Sequence, residues 1–133
     1  MKEITVITKN ETGALANICE ILGKTGINLH GIAAQGFEDK GLVKIVTSDP
    51  VSSENFLNKG GYQTRAKDLV IVKVMDRPGE LGKITKRVSR AGINLDAVYL
   101  LNRTGGYVEL AIVPDKTEDI KNIIEAVGKE YVI

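Results

Sequence analysis

The sequence predicts an α+β protein built from two copies of one βαββαβ unit, and three observations lead to this prediction. The phrase Gly-Ile-Asn-Leu at residues 26–29 returns sixty-six residues later, at residues 92–95. At that offset residues 4–30 align with residues 70–96 without a gap, and eight of the 27 positions are identical. Strand-like β-branched runs and helix-like apolar spacing also follow in the same order in both halves. Because an internal repeat marks the repeating unit of a fold, each strand and helix is expected at equivalent positions in both halves.

The first unit covers residues 3–67 and begins with a β-branched run at 4–8, which predicts a strand. A helix follows the turn at 10–13, since apolar residues recur at i, i+3, i+4 and i+7: Leu15, Ile18, Cys19 and Leu22. The remaining elements are a strand at 27–35, a hairpin loop at 36–41, a strand at 42–47, a helix at 52–59 and a strand at 62–66.

The second unit covers residues 68–133 and repeats this order. The predicted elements are a strand at 69–75, a helix with Leu81, Ile84 and Val88 on one stripe, strands at 94–101 and 107–113 joined by residues 103–106, a helix with Ile120, Ile123, Ile124 and Val127, and a strand at 131–133. Only Lys67 and Asp68 lie between the last predicted strand of the first unit and the first predicted strand of the second. Such a short connection is not a flexible linker, so we expect the units to hold a fixed relation.

The βαββαβ order predicts an antiparallel sheet with both helices on one face in each unit, the ferredoxin-like architecture. The opposite face would be partly apolar, with residues such as Thr5, Ile7, Ile71, Lys73 and Met75. An exposed patch of this kind usually meets a partner, and units of about sixty-six residues are only marginally stable alone. We therefore expect the chain to form a homodimer.

Composition and charge exclude several classes of partner. The chain has 133 residues, of which 43% are hydrophobic and 26% charged, and its net charge is +1. No overall field attracts nucleic acid or an anionic membrane, and no apolar run is long enough to span a bilayer. A single cysteine rules out an intrachain disulfide, which fits the cytoplasm. We expect a cytoplasmic protein with no membrane partner.

The sequence offers no catalytic residues. It has one histidine and one cysteine, and nothing pairs them as nucleophile and base. His30 occupies the position that Asp96 has in the other half, which indicates a strand-surface residue, and Cys19 is predicted to be a small buried side chain. Metal-ligand spacing, a Walker sequence and G-x-G-x-x-G are all missing. We expect no metal, no cofactor and no enzymatic activity.

RNA binding is a weaker alternative, because RNA-recognition domains share this strand order. They stack bases on aromatic residues of the central strands, and here Tyr107 is the only aromatic in such a strand. A basic helix face does exist, formed by Lys83, Lys86, Arg87 and Arg90. The first half does not repeat it, so we interpret it as a solvated face rather than a site for an acidic partner.

The duplicated feature lies where the first strand of each unit meets the first helix. The two turns are Asn10-Glu11-Thr12-Gly13 and Asp76-Arg77-Pro78-Gly79. Backbone N–H groups at a helix N-terminus can hold a carboxylate, and glycine leaves the approach open. Asn28 and Asn94 add amides that suit a zwitterion. Simple capping, with Asp76 as the cap and Pro78 in the first helical turn, remains the alternative.

These residues resemble the ACT domain, whose signature is a D-x-P-G-x-L-type loop followed by G-I-N-I/L. The match covers nearly the whole chain as a tandem pair of the small stand-alone type. The second half is closer, because the first has Asn10 in place of the acid and Thr12 in place of the proline. The resemblance implies a regulatory module that binds an amino acid between the loop of one domain and the second strand of the other.

Carried to this sequence, the resemblance implies two ligand sites. One would combine Asn10, Thr12, Gly13 and Leu15 with Asn94, and the other would combine Asp76, Arg77, Gly79 and Leu81 with Asn28. The leading hypothesis is thus a non-catalytic amino-acid-binding regulator. The second hypothesis is an interaction subunit of a separate metabolic enzyme in which the ligand sites are vestigial.

Overall fold

The structure is a computed structural model, and it describes residues 1–118, 120–125 and 130–132. Internal contacts divide the chain into two compact units, Met1–Lys67 and Asp68–Ile133.

The first unit has the order βαββαβ. Its elements are β1 (Lys2–Lys9), α1 (Ala14–Lys24), β2 (Leu29–Phe37), β3 (Lys40–Thr47), α2 (Pro50–Lys59) and β4 (Gln63–Asp68). The strands form one sheet in the order β2-β3-β1-β4, and β3 is antiparallel to both β1 and β2.

The second unit repeats this arrangement. Its elements are β5 (Val70–Met75), α3 (Glu80–Arg90), β6 (Leu95–Thr104), β7 (Tyr107–Pro114), α4 (Ile120–Glu125) and β8 (Glu130–Val132). The sheet order is β6-β7-β5-β8, with β7 antiparallel to β5 and β6. The predicted fold class and order of elements are confirmed, while Val127 and Ile133 lie outside the described residues.

Each unit has its own hydrophobic core on one face of its sheet. Alternate residues of the central strands join residues of both helices in each cluster: Ile4, Val6, Val43, Ile45, Ile18, Leu22 and Leu57 in the first unit, and Val72, Val74, Ile112, Ile84, Val88, Ile120 and Ile124 in the second. Because strand side chains alternate between faces, this pattern places both helices on the same face. On the opposite face Ile71 is buried, whereas Met75 is 43% exposed.

The two hairpins are shorter than predicted. In the first, β2 continues to Phe37 and β3 begins at Lys40, so the loop contains only Glu38 and Asp39. In the second, only Gly105 and Gly106 remain, with φ angles of 61° and 79°. Two consecutive positive φ angles are what a tight type I′ hairpin turn requires, and glycine adopts them without strain.

The prediction that Cys19 is buried is wrong. The buried stripe of α1 consists of Ala14, Ile18 and Leu22, one position away from the stripe that includes Leu15 and Cys19. Cys19 is exposed, and Leu15 is 43% exposed. The reason is that residues four apart share a helix face, and the small Ala14 rather than Leu15 begins that face. His30 is exposed on β2, as predicted.

Among the described residues no helix is long and apolar enough to cross a membrane.

Asp49 supports a prediction about stability and pH. It is the N-cap of α2, and its carboxylate accepts a hydrogen bond of 3.1 Å from the Ser52 backbone N–H. That hydrogen bond, together with one from the Ser52 side chain, lowers the pKa of Asp49 below its ordinary value of 3.8. A lowered folded-state pKa gives stabilisation above pH 3.8 that is lost as the pH falls through the folded-state value.

We therefore expect Asp49→Ala to lower the urea midpoint at neutral pH, with the difference from the parent protein shrinking in acid. Asp49→Ser is the matched control, because serine can cap the helix without a titrating charge. Urea denaturation monitored by circular dichroism across the acid range measures both effects. An Asp49→Ala deficit that stays constant down to the lowest pH would contradict this role of the carboxylate.

Candidate functional site

Both predicted loops have the same backbone geometry. The N-cap residues of α1 and α3 are Gly13 and Gly79, with φ angles of 89° and 90°, and neither helix has a side-chain cap. Only glycine adopts this left-handed conformation without strain. The two loops are thus alike in conformation although their other residues differ.

The first turns of α1 and α3 each contain backbone N–H groups without an acceptor among the described residues. The first intrahelical hydrogen bonds join the Asn17 N–H to the Gly13 carbonyl at 3.0 Å and the Lys83 N–H to the Gly79 carbonyl at 3.1 Å. Before these bonds, four N–H groups donate to no acceptor in the part of the chain that the structure describes: those of Leu15, Ala16, Leu81 and Gly82. Unsatisfied N–H groups at a helix start are suited to bind an anionic oxygen.

The first loop is fastened to the hairpin of its own unit. The Asn10 side-chain amide donates a hydrogen bond of 3.0 Å to the Glu38 carbonyl, and the Asn10 backbone N–H donates one of 2.9 Å to the Asp39 carbonyl. The Asn10 side chain lies over Gly36, where an added Cβ would come within 2.4 Å of the Asn10 amide nitrogen. Glycine at position 36 is what makes room for this contact.

The second loop is fastened to its hairpin by charge. The Asp76 carboxylate lies 2.8 Å from Arg103 Nε on β6, and the Asp76 backbone N–H donates to the Gly106 carbonyl at 2.9 Å. The alternative in which Asp76 caps α3 is therefore wrong. Pro78 precedes the Gly79 N-cap and so lies outside the helix, two residues before its first residue, Glu80.

Arg77 is also engaged within its own unit. Its Nε lies 2.5 Å from the carboxylate of Glu80, which is only 2% exposed and also lies 3.4 Å from Lys83 Nζ. The Arg77 side chain is 53% exposed, so its terminal nitrogens still reach solvent at the mouth of the loop. The ion pair with Glu80 thus holds the Arg77 guanidinium beside the start of α3.

The two repeated asparagines differ in their surroundings. The Asn94 amide donates a hydrogen bond of 3.1 Å to Asp96, and its backbone N–H donates one of 3.0 Å to the Asp115 carboxylate. Asn28 is exposed, and its side chain has no hydrogen bond to any described residue. Both asparagines come directly before an edge strand, because β2 begins at Leu29 and β6 at Leu95.

A cavity of about 180 Å³ opens beside the first loop. Its lining comes from the end of β1, the loop, the start of α1 and the adjacent ends of β2 and β3: Thr8, Lys9, Asn10, Glu11, Ala14, Leu15, Ala34, Gln35, Gly36, Gly41, Leu42 and Val43. Asn10 and Leu15 were expected from the sequence, whereas the β2 residues were not. The signal for them is the run of small residues along β2, since small side chains in a strand mark a place of close approach.

The described residues bring together no group of histidine, cysteine or acidic side chains that could hold a metal ion. What the loops provide is backbone N–H groups, amides and one exposed guanidinium. These groups can bind and orient an anionic or zwitterionic ligand.

The family of the chain follows from comparison with known proteins. The family model described as the ACT domain pair matches residues 1–133, so the chain belongs to this family. Among curated proteins, none matches the sequence.

Solved structures agree with this assignment at the level of the fold. The chain is similar to protein BT0572 from Bacteroides thetaiotaomicron, with 21% identity over 98% of this chain and 90% of that chain and a TM-score of 0.86. It is also similar to the ligand-free regulatory subunit of aspartate kinase from Thermus thermophilus, with 15% identity over 96% and 89% of the two chains and a TM-score of 0.73. The regulatory subunit of aspartate kinase from Thermus flavus gives 17% identity over 96% and 90%, with a TM-score of 0.72.

Proposed function

We propose that this ACT domain pair is a non-catalytic regulatory protein that binds a small ligand, an amino acid, at its glycine loops. The observation that carries the proposal is the duplicated pair of N–H groups without acceptors, at Leu15 and Ala16 and again at Leu81 and Gly82. A ligand carboxylate would receive these hydrogen bonds and interact favourably with the positive end of the helix dipole. The similarity to regulatory subunits of aspartate kinase supports a regulatory role.

The remaining groups near the loops fit the other parts of an amino acid. The ammonium group needs acceptors, which the side-chain oxygen of Asn28 or Asn94 provides if the loop of one ACT domain meets the second strand of another. We propose the two combinations that the family resemblance implies, namely Asn10, Thr12, Gly13 and Leu15 with Asn94, and Asp76, Arg77, Gly79 and Leu81 with Asn28. The apolar cavity wall beside Ala14 and Leu15 would take a side chain of modest size.

The two sites would not be equal. Asn28 has its amide available, whereas the Asn94 amide already donates to Asp96. That bond is donated by the Asn94 nitrogen, so the Asn94 oxygen stays free to accept from a ligand ammonium, and the difference between the sites lies in the loops. Arg77 beside the second loop attracts a carboxylate, whereas its counterpart in the first loop is Glu11. We infer that the combination of the second loop with Asn28 binds more tightly.

Thermal shift measurements against each standard amino acid test this proposal. One of them should raise the melting temperature, since a ligand at a hundred times its Kd stabilises the folded state by about 2.7 kcal/mol. Asn28→Ala should weaken that response without changing the stability of the free protein, because its side chain makes no hydrogen bond to lose. Asn94→Ala should lower the stability of the free protein slightly and weaken the response less. No response to any amino acid would refute the ligand class.

A second candidate function is favoured by the internal pairing of the second loop. Asp76 pairs with Arg103, and Arg77 pairs with Glu80, so both charges are satisfied without a ligand. The chain would then act as an interaction subunit of a separate metabolic enzyme. Co-purification from the native host separates the two functions, because an enzyme partner that is retained regardless of any amino acid favours the second.

In either case we propose a cytoplasmic homodimer, which sedimentation velocity would distinguish from a monomer.

A further inference from the structure

The α3 basic face consists of Lys83, Lys86, Arg87 and Arg90, all of which are exposed. Lys83 lies 3.4 Å from the Glu80 carboxylate. Lys86, Arg87 and Arg90 make no ion pair or hydrogen bond with any side chain that the structure describes. Three cations on one helix face are thus available to a partner.

The corresponding face of α1 is neutral, so this charge does not belong to the repeated architecture. The equivalent positions are Asn17, Glu20, Ile21 and Lys24, and Glu20 pairs with Lys24 at 2.9 Å. One negative and one positive charge there cancel, whereas the α3 basic face carries four positive charges in a chain whose net charge is only +1. A cation near a helix C-terminus is favoured by the dipole, but α1 achieves this with Lys24 alone.

An open groove of about 370 Å³ lies beside the basic face. It runs between the end of α3 and α4, and it is lined by Arg87, Arg90, Ala91, Asn122 and Ile123. Ile123 also packs against the core of the unit, which fixes the apolar floor in place. Two guanidinium groups therefore border an apolar strip, at the opposite end of α3 from the Gly79 loop.

We propose that this groove docks an acidic amphipathic segment of a partner protein. Carboxylates of the segment would pair with Arg87 and Arg90, because a guanidinium accommodates a carboxylate through two parallel hydrogen bonds. An apolar side chain of the same segment would contact Ala91 and Ile123. The basic face extends over eight residues, from Lys83 to Arg90, about 10 Å along the helix axis, which matches acidic residues on two turns of a partner helix.

The chemistry of the groove favours a protein over a nucleic acid. Nucleic acid recognition of single strands relies on aromatic rings that stack on bases, and the residues that line the groove include none. The aliphatic floor of the groove, formed by Ala91 and Ile123, instead complements an aliphatic side chain of a protein. A phosphate group supplies no aliphatic group to contact it. The partner is therefore defined by acidic residues interleaved with an apolar one.

A synthetic helical peptide is the probe for this surface. It carries glutamate at i, i+3, i+4 and i+7 with one leucine between them, and fluorescence anisotropy measures its Kd for the full chain. We expect binding that weakens with salt, and at least about tenfold weaker binding to the R87Q/R90Q variant, since each arginine–carboxylate pair is charge-assisted. K24Q in α1 is the matched control and should leave the Kd unchanged. Replacing the leucine of the peptide by serine should also weaken binding.

Each other result overturns the proposal. An unchanged Kd in R87Q/R90Q, or no binding at low salt, would mean that the basic face is only solvated. Tighter binding of a single-stranded RNA of equal charge would assign the face to nucleic acid. If R87Q/R90Q is less folded by circular dichroism, R87K/R90K replaces it, because lysine keeps the charge and loses the fork. That variant should bind the peptide more weakly than the parent protein does.

Discussion

We expect Ile84→Ala to lower the free energy of unfolding of the second unit by about 3–4 kcal/mol, because it removes a fully buried side chain and leaves a cavity. Ile84 is 0% exposed and belongs to the cluster that joins α3 and α4 to the sheet. A unit of this size has only about 5 kcal/mol of stability to lose. Urea denaturation monitored by circular dichroism should therefore show a transition that moves to much lower denaturant.

The matched control lies on the same helix. Leu81 is 45% exposed, so Leu81→Ala should cost less than about 1 kcal/mol. Ile18 is the repeat counterpart of Ile84 and is also 0% exposed, so Ile18→Ala should have a similar effect on the first unit. Equal losses for Leu81→Ala and Ile84→Ala would show that the core is not centred where the structure has it.

The Gly79→Val substitution should remove the contribution of the tighter site to the thermal shift caused by the most effective amino acid, and it should destabilise the free protein by at least about 1–2 kcal/mol. The cause is the φ of 90° at the N-cap, which a β-branched residue adopts only with strain. It is not a clash, because an added Cβ at Gly79 meets nothing within 4 Å. Relief of the strain would turn the Leu81 and Gly82 N–H groups away from a bound carboxylate.

Gly23→Ala serves as the control for Gly79→Val. Gly23 lies inside α1, has no positive φ, and an added Cβ there also meets nothing within 4 Å. Alanine should therefore stabilise the helix by up to about 1 kcal/mol and leave the ligand response intact. A folded Gly79→Val protein whose thermal shift is as large as that of the parent protein would place the tighter site elsewhere.

The fold could be predicted from the sequence because two levels of pattern agreed. The repeated Gly-Ile-Asn-Leu gave the unit, and period-two and helical spacing gave the elements within it. The buried stripes of α1 and α3 both begin one position earlier than predicted, at Ala14 and Glu80 rather than at Leu15 and Leu81. A small residue and a charged residue were not counted among the large apolar ones, so the exposed Leu15, Cys19 and Leu81 were assigned to the core.

The details of the loops could not be predicted, because they depend on partners distant in the chain. An aspartate before Pro-Gly can cap the following helix, and only the folded hairpin brings Arg103 within 2.8 Å of Asp76. The availability of Asn28 and the engagement of Asn94 likewise depend on Asp96 and Asp115. The family resemblance supplied the candidate residues, whereas their hydrogen-bond partners are seen only in the folded structure.

The contact between Asn10 and Gly36 has a consequence for how this sequence can drift. A side chain at position 36 would displace the end of the Asn10 side chain, which can turn away at the cost of its exposed hydrogen bond to the Glu38 carbonyl. The two positions are therefore coupled, because glycine at position 36 matters only while position 10 carries a side chain that reaches it. In the second unit the Asp76–Arg103 ion pair holds loop and hairpin together, so there the coupled positions are 76 and 103.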